Sequence, residues 1–303
     1  MSSVILDSSN LLYMCQHSLK RDNILTYKSL IRSFMIRLFS LVEKRIFCNL
    51  FLLFDLPSFV STYRQELLPE YKQHRHSADT LEDKQAHRAA LGFLVSQLPG
   101  LGFPTVCIKS IESDDISYAI SRHFSCNNGL FISSDNDWKL NLKKGWSVYQ
   151  IRQDTTVTYE DFKKEMFHEN PNIYFLYYKC LIGDPGDNVK GVYGIGPKKA
   201  TALIKGLSEG KTLSDFPFAQ RVIAGFDIVE RNMKIFTPEW ILGHKKTLQR
   251  IEEMISNTTY PSDPLEAWHI FCDTLDDGSL RDYWETYMDI MRNCQKGRVL
   301  CNL

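Results

Sequence analysis

Apolar runs that stop at an acidic residue recur along this chain, and no other feature constrains its fold as tightly. Val4-Ile5-Leu6 ends at Asp7, and the run from Cys48 to Phe54 ends at Asp55. Leu101 to Ile108 leads into Ile111-Glu112-Ser113-Asp114-Asp115, and Leu130 to Ser133 leads into Asp135, Asn136 and Asp137. Apolar runs without alternation suit strands buried on both faces, as in a parallel sheet covered by helices. In such a sheet the carboxyl ends of the strands share one edge, where ligands bind. The pattern predicts an α/β fold with these acids gathered at one edge, and Trp146 to Ile151 as the last strand.

Between the strands the periodicity is helical. Ser8, Ser9 and Asn10 offer capping chemistry for a helix after Asp7. Tyr27 to Arg45 carries Leu30, Phe34, Leu38 and Leu41 on one face. Ala89 to Leu98, Ile116 to Phe124 and Tyr159 to His168 read as helices. Beyond Ala202 the pattern is mostly helical: Arg221 to Lys234 with a weak point at Gly225, then Ile241 to Ile255, Pro264 to Thr274 and Leu280 to Arg292. Trp240, Trp268, Tyr283, Trp284 and Tyr287 read as core. Ser61 to His76 is different. Arg64, Lys72, His74, Arg75 and His76 interleave there with Tyr63 and Tyr71, a composition suited to a nucleic-acid strand, with Arg64 and Tyr71 among the contacts. The chain stays polar to Arg88 without an apolar stripe, which predicts a mobile arch or lid.

The stretch from Leu181 to Ala202, LIGDPGDNVKGVYGIGPKKATA, adds a second element. Asp184 and Asp187 lie in a Gly/Pro-rich turn. Gly191, Gly194 and Gly196 then punctuate a loop running into Pro197, Lys198 and Lys199. This reads as helix, tight turn and helix. Pro197 suits the first helical turn, and amides and lysines at that point attract a phosphate.

The acids number Asp7; Asp55; Glu112, Asp114 and Asp115; Asp135 and Asp137; Asp184 and Asp187. Two like charges ~4 Å apart repel by about 1 kcal/mol in water and about 4 at an effective dielectric near 20. A converging set weakens the fold unless cations are bound, and carboxylate oxygens suit Mg²⁺ or Mn²⁺. Two such ions roughly 3.5–4 Å apart clamp the attacking and leaving oxygens of a phosphodiester. Lys72 and Arg75 are the basic residues best placed by composition to steady the extra charge of the transition state.

Bulk composition narrows the remaining classes. The 303 residues, 44% of them hydrophobic, suffice for a large core. Eight cysteines without a CxxC pair argue against zinc and for free thiols in a reducing compartment. MSSVILDSSN lacks a signal-peptide pattern, and no apolar stretch is long enough to span a bilayer. These features predict a soluble, cytoplasmic protein. Equal counts of 36 basic and 36 acidic residues are unusual for a nucleic-acid binder unless the acids are concentrated in a metal site.

The motifs ILDSSN, LLFD, YRQELLPEYKQHR, IESDD, ISSDND, GDPGDN and GVYGIGPKKA follow one another from Val4 to about Ala202. In this order they resemble the 5′-nuclease or flap-endonuclease family, especially its bacteriophage members of the ribonuclease H and 5′→3′ exonuclease type. The resemblance implies a central mixed, largely parallel sheet flanked by helices over residues 1–180, with a helical arch at about 60–98. It implies a helical DNA-binding region over 181–303, with a helix–three-turn–helix motif at about 181–206. One Mg²⁺ would be held by Asp7, Asp55, Glu112 and Asp114 with Asp115 close by, the other by Asp135, Asp137, Asp184 and Asp187 partly through waters, Mn²⁺ being able to substitute. Lys72 and Arg75 would contact the scissile phosphate. Gly191, Gly194, Gly196, Lys198 and Lys199 would grip duplex DNA, and the carbonyls of Val192 and Ile195 would hold K⁺. Asn136 stands where the family usually has glycine, and Ser113 where it commonly has alanine.

The resemblance implies a monomeric, structure-specific 5′ nuclease of DNA replication or repair that acts on flaps, nicks and RNA primers and leaves 5′-phosphates. Its partner would be branched, nicked or RNA-primed duplex DNA; a protein partner such as a single-strand binding protein or clamp is not given by the sequence. Three rivals share parts of the pattern. A PIN-type ribonuclease lacks the glycine turn with paired lysines, a non-catalytic DNA-binding relative loses acids, and a small-molecule phosphatase has no use for the basic, aromatic stretch from Tyr63 to Arg75.

Overall fold

The computed structural model describes residues 2–43, 45, 47–56, 62–73, 79–124 and 127–301, with backbone alone over 295–301. Its centre is a six-stranded sheet of β1 (Ser2–Asp7), β2 (Asn49–Leu53), β3 (Thr105–Val106), β4 (Asn128–Ile132), β5 (Trp146–Gln150) and β6 (Thr155–Thr158), in the order β3-β2-β1-β4-β5-β6. All neighbours pair parallel except β5 and β6. The strand order turns back at β1, since β2 lies on one side of it and β4 on the other. A crevice opens at such a switch point outside the carboxyl ends of the strands. Register places Asp7 opposite Leu53 and Leu6 opposite Ile132. Asp7, Asp55 and the segment after Ile132 therefore leave the sheet side by side.

The uninterrupted apolar runs are explained by the two cores. Val4, Leu6, Leu50, Leu52 and Ile132 face one, while Ile5, Phe51, Leu53, Phe131 and Val148 face the other. On the first face pack α1 (Ser8–Arg21), α2 (Tyr27–Val42) and the second half of α4 (Leu81–Gln97), which follows the short α3 (Tyr63–Leu67). On the second face pack α5 (Ser113–His123), α6 (Tyr159–Met166) and α7 (Pro171–Ile182). Then come α8 (Pro197–Ser208), α9 (Ala219–Ala224), α10 (Phe226–Phe236), α11 (Lys245–Ser256), α12 (Pro264–Leu275) and α13 (Trp284–Cys301). No helix among the described residues is long and apolar enough to cross a membrane.

Three elements differ from the sequence reading. β6 is a Thr-rich edge strand with little burial, so it lacks the apolar signature that marks the others. α4 begins at Leu81 rather than Ala89. A capping box between Thr80 and Asp83 starts it, and Lys20 of α1 reaches Asp79 and Asp83 at 2.7 Å each. Its buried residues are only Ala90, Leu91 and Leu94, so its first half needs no apolar stripe. The parts of the expected arch at 60–61 and 74–78, Arg75 included, lie outside the described residues. Third, Trp284 is exposed rather than core, whereas Trp268 and Tyr287 are fully buried and Trp240 and Tyr283 half-buried.

Leu181, Val192, Ile195, Ala200, Leu203 and Val222 form a small cluster of their own around the turn before α8. Further on, α12 and α13 return to the sheet and join the first core through Trp268, Phe271, Tyr287 and Met291. Trp268 stacks on Tyr287 at 5.2 Å and on Phe271 at 5.5 Å between ring centroids. Trp268→Ala is expected to lower stability by about 3–5 kcal/mol, read as a reduced urea midpoint with an unchanged slope; a loss below ~1 kcal/mol would mean these helices do not depend on this contact.

Candidate active site

Each acid reaches the crevice by a different local route. Asp7 closes β1 and caps α1, accepting from the Asn10 amide at 3.0 Å and the Ser133 hydroxyl at 2.7 Å. Asp55 follows β2 and accepts from the Ser113 amide at 2.6 Å, which ties it to the start of α5. Glu112 is the residue before that helix, and Asp114 and Asp115 lie in its first turn. Asp135 caps the 3₁₀ turn after β4, accepting from the Asp137 amide at 2.9 Å. Asp184 sits in a two-residue antiparallel pairing of Gly183–Asp184 with Val189–Lys190, and its carboxylate accepts from the Gly186 amide at 2.9 Å.

These groups share one electrostatic field. Burial, then repulsion from Asp55 and Asp135, pushes the Asp7 carboxyl up to about 8. Burial also raises Asp55, opposed by Lys72 and reinforced by Glu112 and Asp114. Asp114 is raised by burial, with Arg64 opposing and Glu112 and Asp135 adding to it. Burial brings Asp137 to about 7, against the pull of Lys179 and with the push of Asp135 and Asp184. Asp184 is the exception: burial raises it, but Lys179 and backbone amides outweigh that and hold it below the usual carboxylate value.

Three cations hold the acids together. Lys72 lies 2.5 Å from Glu112 and 3.8 Å from Asp187. Its backbone is left-handed, with φ +58°, and its N–H donates to the Asp187 carbonyl at 3.0 Å. Lys179, on α7, bonds Asp137 and lies 3.1 Å from Asp184, with its ammonium 4.5 Å from the centre of the Phe236 ring. Those carboxylates keep it charged well above the ordinary lysine value despite its burial. Arg64 is buried and reaches Asp115 at 2.7 and 2.9 Å, Glu112 at 3.1 Å and Asp114 at 3.6 Å. Among the described residues, no group of three or more His, Cys, Asp or Glu stands close enough to hold a metal ion with the side chains as they are. Glu112, Asp114, Asp115, Asp137, Asp184 and Asp187 pair with Arg64, Lys72 or Lys179, whereas Asp7 and Asp55 accept from serine and backbone groups.

Several residues stand differently from their sequence roles. Arg64 and Tyr71, read as DNA contacts, are both buried at about 3% exposure. The Tyr71 hydroxyl lies 3.2 Å from Glu112 and 3.1 Å from Asp187, so both side chains face inward to the acids. Asp115 is spent on the two-pronged Arg64 contact and on the Trp240 indole N–H at 3.2 Å. Lys179 is a participant that the sequence reading missed. The signal was a lone lysine after the apolar, aromatic run IYFLYY of PNIYFLYYKCLI.

The glycine turn packs against α7 and α9. Gly191 abuts the backbone of Leu181 and Ile182, where a Cβ would collide. Gly194 has φ +74°, and a Cβ there would strike the Arg221 guanidinium. Gly196 caps α8 with open space beside it. The Val192 carbonyl accepts from the Ile195 amide at 3.0 Å, and both side chains are buried. Lys198 is exposed, Lys199 is half-buried with its ammonium 2.8 Å from the Gly194 carbonyl, and Tyr193 projects from the tip at 89% exposure. An open recess of about 570 Å³ adjoins Asp135, Asp137, Lys179 and Asp184. A second recess, about 330 Å³ between Asn49, Phe51, Pro104 and Glu252, lies by the start of β2, away from the acids.

The Asp7 shift has a pH consequence. A proton stays on the folded chain between about pH 4 and about pH 8 where the unfolded chain has lost it. The stability from this group is therefore present below pH 4 and lost as pH rises through 8. In chelator-treated protein, Asp7→Asn should flatten the fall in urea midpoint between pH 5 and pH 8. It should exceed the parent at pH 8 by roughly 1 kcal/mol or more; parallel profiles for the two proteins would contradict the assignment.

Comparison with known proteins places this geometry in context. Residues 2–168 match the family model described as 5′-3′ exonuclease, N-terminal resolvase-like domain. The flap endonuclease of Escherichia phage T5 is 30% identical over 156 residues, 48% of this chain and 52% of that protein. The chain thus spans about half the length of that curated relative. A crystal structure of a bacteriophage T5 protein co-crystallised with metal ions superposes over 97% of this chain and 100% of its own, with TM-score 0.61 and 21% identity. The catalytic core of Rad2 in complex with DNA substrate covers 95% of this chain and 92% of its own, with TM-score 0.54 and 14% identity. At such identities the two structures share the fold.

Proposed function

This chain belongs to the 5′-3′ exonuclease family of the N-terminal resolvase-like domain, and from that footing we propose that it is a divalent-metal-dependent, structure-specific 5′ nuclease. It hydrolyses phosphodiesters near the junction of a 5′ single strand and a duplex and leaves 5′-phosphates. The observation that carries this reading is the gathering of Asp7, Asp55, Glu112, Asp114, Asp135, Asp137 and Asp184 in one mutually repelling field at the sheet's switch point. Burial first, and repulsion from neighbouring carboxylates second, raise Asp137 to about 7 and Asp7 to about 8.

That donor set fits hard divalent cations such as Mg²⁺ or Mn²⁺. Asp7, Asp55, Glu112 and Asp114 would hold one ion; Asp135, Asp137 and Asp184, with Asp187, would hold the second. Asp115 is left out because Arg64 holds both its oxygens. Two bound ions supply stabilisation of the attacking and departing oxygens of the phosphodiester. The chain's own residues do the positioning. Lys72, fixed by its backbone bond to Asp187, presents an ammonium beside Glu112 where a scissile phosphate needs positive charge. Arg75 is assigned to the same task by the family pattern.

The turn from Gly191 to Lys199 is the proposed duplex grip. Its glycines let the backbone approach closely, α8 starts there, and Lys198 adds charge. The Val192 and Ile195 carbonyls are the candidate K⁺ ligands. Contacts of this kind read backbone shape and phosphate rather than base sequence. Flaps, nicked duplex and RNA primers paired to DNA are the proposed substrates. The flap endonuclease relative and the Rad2 complex with DNA support the class.

Cleavage of labelled flap, nicked and RNA-primed duplexes with Mg²⁺, with and without chelator, tests the reading. Asp135→Ala or Asp184→Ala should abolish cleavage and leave duplex binding equal or tighter, since repulsive charge is removed; near-normal turnover in both would refute the site. Lys198→Ala combined with Lys199→Ala should reduce the slope of log K against log salt by roughly 1–2, and an unaltered slope would mean the turn does not touch phosphates.

A further inference from the structure

The run from Cys48 to Phe54 carries one polar side chain, Asn49, the first residue of β2. Side chains alternate along a strand, so Asn49 shares a face with Phe51, the face on which α5 packs. Asn49 is only 5% exposed. Its Nδ2 reaches the Cys48 thiol sulfur, a weak acceptor, at 3.6 Å, and its Oδ1 has no hydrogen-bond partner among the described residues. A buried carboxamide left in this state costs stability and marks a missing partner.

Asn49 lines the recess of about 330 Å³, whose walls also include Phe51, Pro104, Phe124 and Ile255. Glu252 and Ser256, one turn apart on α11 and both exposed, stand at its mouth. The recess lies at the amino end of β2, whereas the crevice of acids lies beyond the carboxyl ends of the strands. Its volume is that of a small ligand site. Ordered water suits it poorly, because a buried water needs about two to four polar partners and most of these walls are apolar. No basic side chain lines it and Glu252 adds a carboxylate, which disfavours anionic ligands. A carboxamide presents a donor beside an acceptor. Its complement is a ligand edge with the same two groups side by side, the pattern that adenine offers to asparagine. Phe51 and Phe124 supply rings against which a planar body packs.

We propose that this recess binds an uncharged purine nucleoside of the adenosine type. The amino edge of the base meets Asn49, the ring lies against Phe51 and Phe124, and the ribose hydroxyls meet Glu252 and Ser256. The site is separate from the crevice and does not depend on the nuclease reading.

The test is calorimetric titration of the full chain, in chelator-containing buffer, with adenosine, adenine, purine riboside and adenosine 5′-monophosphate. The expected result is one saturable adenosine per chain, with a dissociation constant of about 1 mM or tighter. Purine riboside, which lacks the amino group, should bind roughly tenfold more weakly or worse, and the monophosphate more weakly than the nucleoside. Asn49→Leu, with its fold checked by urea midpoint, should weaken adenosine roughly tenfold and abolish its advantage over purine riboside. Glu252→Ala should weaken adenosine severalfold and leave adenine unaltered. Asp135→Ala, in the crevice, should leave adenosine binding unaltered. No saturable adenosine uptake, equal affinity for adenosine and purine riboside in the parent, or loss of adenosine binding in Asp135→Ala would overturn the site. Should Asn49→Leu fail to fold, the ligand series on the parent and the Glu252→Ala variant still decide.

Discussion

Repulsion between carboxylates crowded at one edge of a parallel sheet is the constraint on which the rest of this molecule depends. Asp7, Asp55, Asp114 and Asp137 each feel repulsion from other carboxylates of the same crevice, and like charges brought together out of bulk water repel more strongly. The sheet imposes the crowding. Because the strand order turns back at β1, the segments after β1, β2 and β4 emerge side by side. The chain answers with Lys72, Lys179 and the buried Arg64, each touching acids from more than one position in the sequence. A balance of 36 acidic and 36 basic residues is thus compatible with a nucleic-acid partner, because nine of the acids are withdrawn into one crevice.

The same cations join separate parts of the fold. Arg64 lies on α3, bonds Asp115 on α5, and donates to the Ile235 carbonyl at the end of α10 at 2.8 Å. Next to it the Tyr63 hydroxyl bonds the Lys234 carbonyl, and the Tyr63 ring lies 4.7 Å from Trp240. Trp240 in turn donates to Asp115. The base of the expected arch, the acidic helix start and the helices beyond the glycine turn are therefore one hydrogen-bonded unit. A buried pair of this kind is costly to break from one side only, because the remaining charge is left unmatched. It fixes the relative placement of the acids and the turn.

Much of this was legible from sequence because the signals were local. Val4 to Leu6 and Cys48 to Phe54 carry unbroken apolar patterns, and each is followed directly by its acid, so strand and site appeared together. The glycine turn was equally clear, since Gly191 and Gly194 sit where a side chain collides. What escaped was set by partners distant in sequence. Arg64 and Tyr71 looked like surface residues within a basic, aromatic stretch, but α5 and Asp187 bury them. Lys179 sat unremarked in an apolar helix because its partners Asp137 and Asp184 come from two other segments. β6 and the first half of α4 cover little core, so periodicity had nothing to register.

We propose that this pocket of acids binds two divalent cations, Asp7 and Asp55 on one side and Asp137 and Asp184 on the other. The most direct measurement is titration of the DNA-free protein with Mn²⁺, followed by calorimetry and by the paramagnetic signal of the free ion. Two saturable ions per chain, with binding greatly weakened by Asp7→Asn and by Asp137→Asn, is the result this account predicts. No saturable uptake, or uptake indifferent to both substitutions, would contradict it.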